Sequence, residues 1–374
     1  MNMAVQQTSF QKKSKSRVPY IPGSKQSIQN AQLLVSSGVP SFDHAIGGGI
    51  PVGTVVLIEE DKYGTYAKLL LKYFLAEGIV SGHSLIVASQ DSDCENLVRE
   101  LPAPVQLDDS VRTSDSDDKM TIAWRYQNMR VVQSSPTSTS FGHNYDLTKS
   151  LDAEILKAAD VCYWTGCTGY GQSESRFTNP AYYDLLCTIH NKIEEGQFGV
   201  AASPEKRNIL RTAVHSVGSP LWTEETHVSS YQQKSDLALF FYCLRSLIRS
   251  AYAVCVLTLP SHLFQETSII KRLEHLCDAS VRLESFAGSE KETNPVYKDY
   301  HGLFHINQLP AINTLMSHVP ESFDLAFKLR RKRFLIEKLH LPPELQETTQ
   351  REQDDLPSLA SGICGVQTRS ILDF

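Results

Sequence analysis

Ser37 to Tyr66 reads SGVPSFDHAIGGGIPVGTVVLIEEDKYGTY. It has the layout of a nucleotide-binding strand and loop but lacks the residues that hold phosphate. A phosphate-cradling loop reads G-x-x-x-x-G-K-[ST]: backbone N–H groups surround the phosphates, the Lys meets the outer phosphates and the hydroxyl meets Mg²⁺. The corresponding slots here hold Glu59, Gly64, Thr65 and Tyr66. Only one Gly remains, Thr65 stands in the Lys position, and Tyr66 replaces the metal-binding hydroxyl. Glu59, Glu60 and Asp61 also bring negative charge to the place of a polyphosphate. Such a loop is expected to repel ATP, so no catalytic residue, cofactor or metal site is assigned. An ATPase reading would need Lys62, within the loop, or Lys68, a turn into the helix, as a substitute cation, and either needs a detour.

The approach to the loop is better preserved. Ser37–Asp43, then Gly47–Gly53, then the strand Thr54–Ile58 give a small-residue turn, a short helix, a Gly-rich hairpin and a first core strand. In that order they resemble the entry into RecA-family ATPase cores. A second stretch, Asn208 to Trp222, resembles the core strand that ends in a metal-holding Asp in working ATPases. Here that position is His215, a neutral imidazole at pH 7 and a poor ligand for a hard cation. Both halves of a nucleotide site are therefore expected to be missing.

With Trp124-Arg125-Tyr126, the run Phe141–Leu147 (FGHNYDL) and the run Val214–Trp222 (VHSVGSPLW), the chain resembles the PAXNEB family of Elongator subunit-four proteins from about Ile28 to Pro343. The resemblance implies an α/β, RecA-like fold: a mostly parallel twisted sheet with helices on both faces and no functional P-loop. It further implies a subunit without chemistry of its own, joined to Elongator subunits five and six in a heterohexameric ring. That ring would bind tRNA and support wobble-uridine modification by the catalytic subunit, in cytoplasm and nucleus.

Bulk composition is consistent with one large α/β domain. The chain has 374 residues, 41% hydrophobic, with a net charge of −6, so any RNA contact must be local rather than global. The eight cysteines are scattered and do not give zinc-ligand spacing. No apolar run approaches the roughly 20 residues of a membrane span, and the N-terminus lacks an apolar leader. Residues 1–27, with Lys12, Lys13, Lys15, Arg17 and Lys25, read as a disordered basic tail, 28–345 as the RecA-like domain, and 346–374 as a disordered C-terminal tail. Within the domain, about 102–119 reads as a mobile acidic insertion and Val132–Thr139 as a loop, while 163–180 is rich in Gly, Ser and Thr.

Apolar spacing predicts a helix over Tyr66–Glu77 with Gly78 as its C-cap, then a strand at Ser84–Ala88, making a βαβ unit. A helix over Ser235–Arg249 should precede a central strand at Ala253–Leu259, with further strands at Asp278–Phe286 and, at an edge or in a hairpin, Gly302–Ile306. Phe323–Leu341 (FDLAFKLRRKRFLIEKLHL) reads as a helix with an apolar seam and a positive face of Lys328, Arg330, Arg331, Lys332 and Arg333. That face is either a solvated side of a docked helix or a surface for RNA phosphates. The rival RNA site is pore-facing loops at about 218–234 and 261–270, which offer Lys234 and His262. His143 and Asp146 read as core or cap residues, and Arg211, Arg245 and Arg249 as the arginines available to a neighbour's site.

Overall fold

The computed structural model describes residues 21–27, 32–105, 141–166, 176–222, 230–314, 316 and 318–340. The chain opens with β1 (Ser24–Gln26), β2 (Leu33–Val35), the short helix α1 (Pro40–Ala45), β3 (Ile50–Pro51) and the first core strand β4 (Val55–Glu59). Helix α2 (Thr65–Val80) crosses to β5 (Ser84–Ser89), followed by α3 (Cys94–Arg99) and β6 (Pro102–Pro104). After β7 (Tyr145–Ser150) come α4 (Ala153–Ala158), β8 (Val161–Trp164), α5 (Pro180–Glu195), β9 (Leu210–His215), α6 (Ser230–Arg249) and β10 (Ala253–Leu259). Helix α7 (Thr267–Leu276), β11 (Ala279–Ser285), α8 (Glu290–Thr293), β12 (Gly302–Gln308), β13 (Leu325–Leu329) and β14 (Phe334–Lys338) complete it.

Nine strands form one sheet in the order β14-β13-β12-β11-β4-β10-β9-β5-β8. The six from β11 to β8 are parallel, and β12, β13 and β14 extend the sheet antiparallel. Alternation along β4 shows why its whole run is apolar: Val56 and Ile58 join one core with Leu70, Leu71 and Phe74 of α2. Val55 and Leu57 join the other with Leu185 of α5 and Phe240, Phe241 and Leu244 of α6. Strands covered on both faces need apolar residues at every position. This is the α/β, mostly parallel RecA-like sheet that the family resemblance implied.

Four expectations change. Helix α2 does not end at Gly78 but runs on to Val80. Gly78 serves close packing instead, since a Cβ there would lie 2.7 Å from Leu85 Cδ2 and 2.8 Å from Arg211 Cδ. The stretch from Gly302 pairs antiparallel with the preceding β11, as the hairpin alternative has it, but with β13 on its other side it is not an edge strand. Residues 21–26 of the expected tail are part of the fold: Ile21 is fully buried and β1 pairs with β2.

The fourth change is the largest. Phe323–Leu341 is a β-hairpin, not a helix: β13 and β14 pair from Leu325↔Lys338 to Leu329↔Phe334. Arg330 N–H donates to Arg333 O at 2.9 Å and Arg333 N–H to Arg330 O at 3.2 Å, closing the turn. Leu325, Phe327, Phe334 and Ile336 are buried at alternate positions, the strand period that the helical seam obscured. The motif Trp124–Tyr126, residues 106–119 of the acidic insertion, the 132–139 loop, residues 167–175 and both remaining tails lie outside the described residues.

Candidate functional site: a sealed turn and an open basic hairpin

The turn after β4 points its first helical amides at a carboxylate of the same chain. Asp61, fully buried, accepts Thr65 N–H on Oδ2 at 3.2 Å, and Tyr66 N–H and Ala67 N–H on Oδ1 at 3.0 and 3.2 Å. Its backbone carbonyl takes Gly64 N–H at 2.8 Å. Free N–H groups and the helix dipole make such a terminus attractive to anions, and here the anion is built in. Gly64 adopts φ +64°, which a side chain would resist, so its survival in the motif has a local backbone reason.

The other carboxylates are held apart from solvent. Asn307 Nδ2 donates to Glu59 Oε1 and to Glu274 Oε1, both at 2.8 Å, and Lys271 pairs with Glu274 at 2.9 Å. Burial, then the neighbouring Glu274, push the Glu59 carboxyl up to about 7. Burial likewise pushes Glu60 up to about 7. Ser216 Oγ lies 3.5 Å from Glu60 Oε2, while Glu60 Oε1 has no hydrogen-bond partner among the described residues.

Ser216 itself sits at φ +54°, directly after His215 at the end of β9. His215 is buried, with Nδ1 3.2 Å from Ser89 Oγ. Burial, then the charge of Lys68, pull its pKa down to about 4, so the imidazole is neutral at pH 7. Lys68 donates to Ser92 Oγ at 3.1 Å. Among the described residues no group of His, Cys, Asp and Glu is placed to hold a metal ion.

Tyr66 links this turn to the hairpin. Its ring centroid lies 4.7 Å from that of Phe327, 6.3 Å from His301 and 6.4 Å from Phe334. The residue in the metal-hydroxyl slot is thus an aromatic packing residue. Beyond it, the hairpin tip carries Arg330, Arg331, Lys332 and Arg333, all exposed. Lys328 is committed to an ion pair with Glu337, and Lys332 Nζ lies 3.9 Å from Asp146 Oδ2.

The tip is fixed in place by its backbone. Lys332 O accepts Leu147 N–H at 2.8 Å, Phe334 N–H donates to Tyr73 Oη at 3.1 Å, and Ile336 N–H to Ser41 Oγ at 3.0 Å. A groove of about 810 Å³ runs beside it, lined by Gly38–Ser41, Tyr73, Val105, Asn144–Asp146 and Arg330–Leu335. His262, the alternative cation, is exposed after β10. Four strands separate β10 from β14, so the structure does not bring these candidates together. The side chain of Lys234 lies outside the described residues.

The remaining polar candidates are structural. His143 Nδ1 lies 3.1 Å from Glu77 Oε1, and Tyr145 Oη donates to Glu77 Oε2 at 2.7 Å. Burial raises the Glu77 pKa, but the His143 bond, the Arg211 charge and the Tyr145 bond outweigh it and hold the carboxyl low. Asp146 caps its own strand by accepting Thr148 N–H at 2.9 Å. Arg211 is wholly buried, bonded to His83 Nδ1 at 2.9 Å and to the carbonyls of Ser36 and Phe74. It cannot be offered to a neighbouring chain. Arg245 and Arg249 converge on Asp278 at 2.8 and 2.5 Å and keep part of their surface.

Sequence reasoning placed Asp61 correctly as a negative charge but missed its role as a cap. The signal was present: an Asp shortly before a helix, with Gly and Thr at the start of it, is a capping pattern.

The sheet order and the turn after β4 define a RecA-like α/β protein. A family model described as PAXNEB protein matches residues 17–372, and the chain belongs to that family. The chain is 46% identical to Elongator complex protein 4 of Danio rerio over 96% of this chain and 94% of that one. Against the protein of the same name from Homo sapiens it is 44% identical, over 96% and 90%. A KaiC-like protein of Pyrococcus horikoshii matches with a TM-score of 0.45 and 15% identity, over 81% of this chain and 98% of that one.

Proposed function

We propose that this chain is a subunit of the Elongator complex without catalytic chemistry of its own. In this reading it sits with subunits five and six in a heterohexameric ring that binds tRNA in cytoplasm and nucleus and supports wobble-uridine modification by the catalytic subunit. One observation carries the non-catalytic part: the Asp61 carboxylate fills the amide cradle where a phosphate would lie, and Glu60 stands beside Gly64. A bound polyphosphate would have to displace one buried carboxylate and approach another, which electrostatics opposes. Membership of the complex is supported by the relatives named Elongator complex protein 4, whereas subunits five and six, the ring and tRNA are what the family resemblance implies.

For tRNA this reading assigns the exposed guanidiniums of Arg330, Arg331 and Arg333, since Lys328 and Lys332 already face carboxylates. Titration calorimetry of the purified full chain with MgATP tests the first claim. No heat beyond dilution is expected; saturable micromolar binding would overturn it.

A further inference from the structure

We infer that the groove beside the hairpin takes an unpaired RNA nucleotide, with its base against the apolar floor and its phosphate on the tip. The inference rests on the RNA reading above and adds the kind of RNA and the place. Arg330, Arg331 and Arg333 are exposed at the groove's rim, and the turn that carries them is clamped through Lys332 O, Phe334 N–H and Ile336 N–H. Adjacent guanidiniums on a fixed turn suit a phosphate, because less backbone freedom is lost on contact.

A smooth phosphate surface does not need a cleft, and this tip has one. Its floor is built from Val39, Tyr73, Tyr145, Phe334 and Leu335, and about 810 Å³ is room for a base and its sugar. Bases of a duplex are stacked and cannot enter, whereas a splayed base can. Asn144, exposed at the rim, adds a carboxamide that can both donate to and accept from a base edge. Asp146 is the opposing charge, partly offset by Lys332 at 3.9 Å.

An acidic peptide is the competing occupant, and the strand edge argues against it. An extended peptide gains affinity by pairing with free main-chain groups. On β14 the outward amides of Phe334 and Ile336 already donate to Tyr73 and Ser41.

The test compares the intact chain, Val105→Trp and Arg331→Glu by fluorescence anisotropy at fixed salt, with a single-stranded oligoribonucleotide and the same sequence as a duplex. Val105 is half exposed on the groove wall, so Trp there fills the groove without touching the core. The expected result is a single-strand preference that V105W removes, with about a tenfold loss on single strands and none on the duplex. R331E should weaken both RNAs. If R331E weakens both while V105W changes neither, the tip touches phosphate but the groove holds no base, and this inference fails while the RNA reading stands. If the intact chain binds neither RNA, the RNA reading itself fails. Binding of a labelled aspartate-rich peptide that V105W abolishes, with no RNA bound, would give the groove to a protein partner and overturn the inference.

Discussion

The two features that flank α2 meet anions in opposite ways. At its N-terminus the amides of Thr65, Tyr66 and Ala67 are saturated by Asp61, and further acid surrounds them in Glu59 and Glu60. At the hairpin the cations are displayed, three of them without a facing carboxylate among the described residues, beside a groove. The turn after β4 is thus closed by its own side chain, while the hairpin tip displays its cations beside a groove. Tyr66 joins the two, since it belongs to the turn by sequence and to the hairpin by packing. The comparison teaches that two residues of the turn have tasks of their own: Asp61 caps α2 and Tyr66 packs against the hairpin.

The strongest way to break the comparison is to cut that link. Phe327→Ala removes a fully buried ring that stacks on Phe334 and touches Tyr66, and should destabilise the chain by about 3–5 kcal/mol. Urea unfolding followed by tryptophan fluorescence measures it; a loss below about 1 kcal/mol would mean the hairpin packs on α2 only loosely. Next comes Asp61→Ala, which orphans three amides and an attractive helix terminus at once. A loss of about 2–3 kcal/mol is expected. Phosphate should restore more stability to D61A than to the unaltered chain, because the emptied cradle can then hold an ion. Equal phosphate effects in both would show that the turn is no anion cradle even when vacant.

How much of this was readable follows from what each residue depends on. The strand Ala253–Leu259 was placed to the residue, because a run buried on both faces has only apolar letters. The entry from Ser37 to Ile58 was nearly as clear, since its turns require Gly at fixed places, although its core strand runs Val55–Glu59, one residue later than expected. Gly78 misled because its reason is not local: the residues it approaches, Leu85 and Arg211, come from later strands. The hairpin misled for a related cause. Its burial alternates within each strand, but four consecutive cations at the turn extended the pattern into an apparent helical face. The tip's partners Tyr73, Ser41 and Leu147 are distant in sequence, so the groove they form with it could not be seen before folding.

The acid beside the turn yields a smaller, pH-dependent test. Glu60 is raised from 4.5 to about 7 on folding, so the folded chain holds that proton more tightly. Stability therefore falls as pH rises from about 4.5 to 7, and the penalty is complete above 7. Glu60→Gln removes the charge at constant size, and should gain about 2 kcal/mol at pH 8 while changing little at pH 4. Buried His83 and His215, lowered to about 3 and about 4, act in the other direction, costing stability as pH falls below about 6.5. The difference between E60Q and the unaltered chain isolates the effect of Glu60, since both histidines remain in each. A pH-independent difference would mean that Glu60 is ionised in the folded chain and paired beyond the described contacts.

The smallest effect is expected where the surface is open. Arg330→Ala cuts no ion pair seen among the described residues and uncovers no core, so its unfolding free energy should stay within about 0.5 kcal/mol of the parent. Its consequence belongs to binding: one phosphate contact fewer lowers the slope of log K against log salt by about 1. A guanidinium that stabilised the fold would do the reverse, moving the melting curve and leaving the slope alone. That outcome would make the hairpin tip as self-contained as the Asp61 turn, and the contrast between the two features would disappear.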